Sequence, residues 1–180
     1  LRGVRSRLVV EAKARVGGTA RTVTTGAFTF DYTGHLLHLH DAYGQALILD
    51  LLKGNLATHE RKAWIYSQGA FTRYPFQANT KGLPAETIAE CVAGFLETVH
   101  RTRSLPKNPD FLSWSRATFG DGITRHFMRP YNEKLWRTSL SKLTTEWQGR
   151  FVPKPSASEV VYGALTENNA LFGYNTTFRY

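Results

Sequence analysis

A chain of 180 residues, 42% hydrophobic and 13% aromatic, is long enough for a real core and too apolar for disorder. No apolar run reaches the roughly 20 residues of a membrane helix, and one cysteine, Cys91, excludes an internal disulfide and a cysteine-rich metal site. The formal charge of +9 favours anionic partners, but the 23 Lys and Arg residues are scattered, so charge does not choose between nucleic acid, membrane surface and phosphorylated small ligands.

Residues 1–14 are basic and lack the apolar stretch of a secretion signal. With no initiating Met, the chain is expected to be incomplete. Arg7 to Glu11 (RLVVE) predicts a short buried strand ending in an acid. After Gly17-Gly18, strands are expected at Ala20–Thr24 and Phe28–Tyr32. Ala46–Leu52 predicts a helix ending near Gly54. Lys62–Tyr66 and Ala70–Tyr74, either side of Gln68-Gly69, predict a hairpin whose register stays open.

Pro84 opens the clearest helix, to about Arg103, with Ile88, Val92, Phe95 and Val99 on one apolar face. Cys91 falls on that stripe and reads as a buried structural thiol in a reducing, cytoplasmic setting. Asp110 is expected to cap a helix over Phe111–Phe119, closed by Gly120. A third helix from Asp121-Gly122 should run through Met128 and be interrupted by Pro130. Another helical turn is expected between Thr138 and Trp147, then a loop over Val152–Ser158 and an irregular tail.

His35, His38 and His40 share no single face of a helix or strand, so they do not read as a metal site. Asp31 and Asp41 are isolated acids, and no nucleophile–histidine–acid set or carboxylate pair is evident.

Val9-Val10-Glu11, with Arg15-Val16-Gly17-Gly18 and Thr22, resembles the second half of a dinucleotide-binding unit. There, an acid ending the second strand binds the adenosine ribose and glycines let backbone approach a cofactor. The phosphate-cradling G-x-G-x-x-G turn is missing before Arg7. Further on come Gly34-His35, then Tyr74-Pro75-Phe76-Gln77 with Asn79. Gly120-Asp121-Gly122-Ile123 leads into Phe127-Met128-Arg129-Pro130-Tyr131-Asn132-Glu133-Lys134-Leu135-Trp136. This last run mixes cations, an amide and rings, which suits a wall that stacks on a flat base better than a plain core helix. Trp147-Gln148-Gly149-Arg150 and Asn175-Thr176-Thr177-Phe178-Arg179-Tyr180 follow.

In order and spacing these motifs resemble the flavin-dependent UDP-galactopyranose mutases, of the wider amine oxidase and protoporphyrinogen oxidase superfamily. Thr33 departs from the family's usual Gly-Gly-His, and the arginine of its Trp-x-Gly-Glu-Arg segment stands one place early here, as Arg150, with the acid absent.

The resemblance implies a mixed α/β (α+β) chain: a partial Rossmann-like FAD-binding domain, a helical insert and part of a substrate-binding antiparallel sheet. The segments would be 1–45 for the cofactor, 46–83 for a substrate-side helix and hairpin, 84–150 for the helical insert, and 151–180 returning to the sheet. It also implies FAD, used reduced, with Glu11, Arg15, Gly17, Gly18, Gly34 and His35 as cofactor residues. Tyr74, Phe76, Gln77, Phe127, Asn132, Trp136 and Arg150 would meet the UDP-sugar, Arg150 as phosphate clamp, while Arg129 reads as structural, paired with an acid.

The implied reaction interconverts UDP-galactopyranose and UDP-galactofuranose through a flavin N5–sugar adduct, with no side chain as nucleophile. The chain as given would be an inactive fragment that holds FAD weakly at best. Neither nucleic acid nor membrane insertion is expected, and the helical insert offers a surface for a homo-oligomer or a lid. The alternatives are an FAD-dependent oxidoreductase of the amine oxidase type and a basic nucleic-acid-binding module.

Overall fold

The computed structural model describes residues 8, 10–34, 36–37, 39, 41–101, 104–167 and 176–180, without the Arg150 side chain. The chain forms two compact units, residues 1–59 with 178–180, and residues 60–177.

In the first unit, β1 (Thr22–Thr25) and β2 (Phe28–Asp31) form an antiparallel hairpin. Thr25 pairs with Phe28 across a two-residue turn in which Gly26 has φ 60°, the positive value such turns need. Helix α1 (Ala42–Leu52) starts four residues before its expected start, because the Asp41 carboxylate accepts the N–H groups of Tyr43 and Gly44 at 3.0 and 2.8 Å. Strand β3 (Thr58–Glu60) pairs with the C-terminal β6 (Thr177–Arg179). At its end Ala57 and Tyr180 exchange N–H···O=C bonds of 2.8 and 2.9 Å, which is antiparallel pairing.

The strand expected at Arg7–Glu11 does not form over its described residues. Leu8 and Val10 are exposed, and Glu11, just ahead of a bend, accepts the Lys13 N–H at 3.0 Å. A strand needs a partner, and among the described strands β1 bonds to β2 and β3 to β6. Arg7 and Val9 lie outside the described residues.

The second unit opens with the hairpin of β4 (Trp64–Ser67) and β5 (Ala70–Arg73), in register Trp64↔Arg73 to Ser67↔Ala70. Gln68 and Gly69 both have positive φ, 50° and 81°. A cis Tyr74–Pro75 bond leads into the buried 3₁₀ turn Phe76–Ala78. Helix α2 (Ala85–His100) follows; its buried stripe is Thr87, Cys91 and Phe95, and Val99, expected inside, is exposed. Helix α3 (Phe111–Ile123) is capped as expected by Asp110, which accepts the Ser113 N–H at 2.9 Å.

Gly120, at φ 79° and ψ 172°, is non-helical and divides α3 into two runs, closing the first as expected. Gly94, Gly120 and Gly122 are where α2 and α3 touch backbone to backbone: a Cβ on Gly120 would strike the Gly94 carbonyl, and one on Gly122 the Glu90 carbonyl. Pro130 does not interrupt the next helix. A π-helical turn, Thr124–Met128, runs into α4 (Arg129–Trp136), placing Pro130 in the first turn of α4, where its missing N–H and fixed φ are tolerated.

Of the helical turn expected between Thr138 and Trp147, only the short 3₁₀ turn Leu140–Lys142 forms. The expected irregular tail holds α5 (Ala157–Leu165), started by a capping box between Ser156 and Glu159. Gly163 of α5 lies against the Ala78 carbonyl, and its own oxygen accepts the N–H groups of Thr80 and Lys81 at 3.0 Å. No described helix is long and apolar enough to cross a membrane.

Two side chains of α2 give local tests. Cys91 is fully buried, and desolvation pushes its thiol up to about 12. It should resist a thiol reagent at pH 8 in the native protein and react at once in denaturant; fast native labelling would contradict the burial. Glu90 takes hydrogen bonds from His126 Nε2 (2.8 Å) and Arg125 (2.9 Å), while Gln68 Nε2 donates to His126 Nδ1 (2.9 Å). The His126 bond, with Arg125 beside it, holds the Glu90 carboxyl below its usual 4.5. A lowered carboxylate stabilises the fold above pH 4.5 and loses that contribution as pH falls through the folded value. Acidification from pH 7 to 3 should therefore cost the wild type more stability than Glu90→Gln, measured by urea unfolding.

Candidate functional site

The second unit carries a pocket of about 380 Å³. One wall is the hairpin with the residues leading into it, Arg61, Ala63, Trp64 and Ile65. A second is the turn bearing Tyr74 and Gln77, and a third is the helical run from Phe127 to Leu135. Trp147 and Phe151 to Pro153 close it.

The walls are built on stacked rings. Phe76, fully buried, lies under Phe127 at 4.7 Å between centroids and 7° between planes; Phe127 in turn stacks on Tyr131 at 5.1 Å and 20°. Such a ladder presents a flat, rigid face to a planar ligand. Outside it, the Arg61 guanidinium sits 6.0 Å from the Tyr74 ring centre. Burial pushes the Tyr74 phenol up, against the opposing pull of Arg61, so it is a neutral hydroxyl at physiological pH.

The polar side chains are few and anchored. Gln77 Nε2 donates to the Pro153 carbonyl at 2.8 Å, and its buried Oε1 has no hydrogen-bond partner among the described residues. An unpaired buried acceptor costs about 1–3 kcal/mol, and a modest turn of the amide would offer it to an N–H in the pocket. Asn132 Nδ2 donates to the Met128 carbonyl at 2.7 Å, which fixes the side chain as it enters the pocket wall.

Of the residues assigned to substrate from the sequence, Tyr74, Gln77, Phe127 and Asn132 come together on this pocket. Phe76 lies one layer beneath. Trp136 is not in the lining; its ring sits 5.5 Å from Trp147, which is. The Arg150 side chain lies outside the described residues. Arg129 pairs with Glu133 at 3.3 Å, the acid partner expected for it. Sequence reasoning missed Arg61, Trp64 and Phe151 and left Tyr131 aside. The available signal for Trp64 was its place on the strand paired with the one that leads into Tyr74; Arg61 stands three residues before that strand.

The residues assigned to the cofactor fall in the first unit. Glu11, Arg15, Gly17, Gly18 and Gly34 are exposed, and His35 lies outside the described residues. Gly17 and Gly18 have φ of 110° and 52°, and a Cβ at Gly18 or Gly34 would meet nothing within 4 Å. These glycines fit the close approach of a flat group; Glu11 stands just ahead of the bend over residues 12–16, outside the described strands, and accepts the Lys13 N–H. Among the described residues no three His, Cys, Asp or Glu side chains gather as a metal site, and His35, His38 and His40 lie outside them.

A scan against known protein families finds no match. Among solved structures the chain is similar to a crystal structure of reduced UDP-galactopyranose mutase, with a TM-score of 0.78 and 29% identity. The match covers 91% of this chain and 34% of that one, so these residues span about a third of the length of the mutase. The chain therefore carries a mutase-like fold, with mixed helices and small antiparallel sheets.

Proposed function

We propose that this chain is the part of a UDP-galactopyranose mutase-like flavoenzyme that receives the uridine diphosphate of its substrate. The observation that carries the reading is that Tyr74, Gln77, Phe127 and Asn132, singled out by sequence pattern, line one aromatic pocket in a mutase-like fold. The pocket's chemistry suits a pyrimidine: rings to stack on its face, and a Gln amide to match the carbonyl and imide N–H of uracil. Arg61 at the rim brings positive charge to phosphate, with Arg150 as the proposed second cation.

In this reading the substrate is a UDP-sugar, and the whole protein interconverts UDP-galactopyranose and UDP-galactofuranose. The proposed cofactor is FAD, with Gly17, Gly18 and Gly34 giving backbone access and Glu11 meeting a ribose hydroxyl. Bound in reduced form, a flavin supplies a nucleophile for the anomeric carbon. The residues described here do the rest: the ring ladder and Gln77 fix the uracil, and the arginines hold the diphosphate as it leaves and returns.

The test is UDP-galactopyranose turnover by the whole protein with and without dithionite. Furanose product formed only after reduction supports the proposal; a yellow protein that makes none under either condition refutes the mutase reaction.

A further inference from the structure

Besides the aromatic pocket, the second unit holds an open polar cleft of about 480 Å³, lined by Leu112, Arg116, Asp121, Thr124, Arg125 and Arg129. Three guanidinium groups face one space there, against one carboxylate. Gathering them is unfavourable by Coulomb repulsion unless acids or a ligand offset it.

Each of the three has one acid partner. Arg116 meets Asp121 at 3.2 Å, Arg125 meets Glu90 at 2.9 Å and Arg129 meets Glu133 at 3.3 Å, but Glu90 and Glu133 stand outside the lining. In the Arg116 and Arg129 pairs the acid meets Nε, the inner nitrogen of the guanidinium, at 3.2 and 3.3 Å, rather than its terminal end. That end of an arginine is the part whose spacing matches phosphate oxygens. A second observation points the same way: Thr124 is 2% exposed, and its hydroxyl has no hydrogen-bond partner among the described residues. Turning about χ1 would give that hydroxyl an oxyanion partner.

We propose that this cleft is a second anion site, for a small molecule bearing a pyrophosphate or longer phosphate chain, held by Arg116 and Arg129 with Arg125 and Thr124 beside them. It is independent of the uridine pocket and does not rest on that reading. Arg116 stands on α3 before the Gly120 kink, and Arg125 and Arg129 stand four residues apart in the helical run after it.

The test titrates the full chain with inorganic pyrophosphate, following backbone amide shifts by NMR. The variants are Arg116→Gln with Arg129→Gln, the single Thr124→Val, and Arg61→Gln as a control in the other pocket. The proposal predicts saturable shifts around residues 116–129, weakened about tenfold or more in the double arginine variant and unchanged in Arg61→Gln. Thr124→Val should weaken binding without removing it. Salt should weaken it too, as for any half-exposed charge pair. Shifts scattered over the surface, shifts abolished by Arg61→Gln, or a double arginine variant that titrates like the wild type would each overturn it.

Discussion

Gly122→Ala should destabilise the second unit by about 3 kcal/mol, the upper range for forcing a methyl group into a packed interior. A Cβ on Gly122 would strike the Glu90 carbonyl and come within 2.7 Å of the Cys91 nitrogen. Both are α2 backbone, which cannot swing aside as a side chain can. Relief requires α2 and α3 to part, and Cys91, Phe95, Phe119 and Ile123 are packed where they meet. Gly149→Ala is the control: a Cβ there meets nothing within 4 Å, and its stability should change by no more than about 0.5 kcal/mol. Urea unfolding of the two variants measures the difference; equal midpoints would mean that the two helices do not cross as closely as described.

The second large effect is expected at Phe127. Its ring is the middle member of the ladder from Phe76 to Tyr131, and it lines the pocket as well. Phe127→Ala should lose about 3–5 kcal/mol of stability. Phe127→Leu separates packing from stacking: it keeps most of the buried volume and removes the flat face, so it should lose less stability yet still weaken a planar ligand. Isothermal titration with UDP, alongside thermal melts, reads both quantities. A leucine variant that binds UDP as tightly as the wild type would remove the ring from the recognition argument.

The helices and the second-unit hairpin were legible because their signals are local. Asp110 caps α3 through its own carboxylate, Gln68-Gly69 takes the positive φ values a tight turn needs, and Cys91 sits on the apolar side of α2. Where the outcome depended on a distant partner, local pattern failed. RLVVE has the composition of a strand, but its described residues form none, since composition supplies no neighbour to bond to. Pro130 reads as an interruption until the π-helical turn ahead of it is known, and the close approach of α2 to Gly120 and Gly122 does not show in the sequence of α3. Helix α5 was the avoidable miss, since Ser156-Ala157-Ser158-Glu159 spells a capping box.

The pocket shows the same division. Tyr74, Gln77, Phe127 and Asn132 stood out because the runs that hold them resemble the mutase motifs. Trp64 did not, since the pairing of β4 with β5 brings it beside Tyr74 and Gln77, and Arg61, ahead of that strand, carried no signal of its own. Ring stacking likewise sorted Phe76 from Phe127: the former supports the wall and the latter lines it.

The most direct measurement is a UDP titration of the chain followed by tryptophan fluorescence, because Trp64 and Trp147 both line the pocket. A saturable change that uridine monophosphate competes for, and the cytidine analogue competes for at least tenfold more weakly, is the predicted result. Uracil offers the Gln77 acceptor an imide N–H, and cytosine does not. No saturable change, or equal response to adenosine diphosphate, would contradict the assignment of this pocket to a uridine nucleotide.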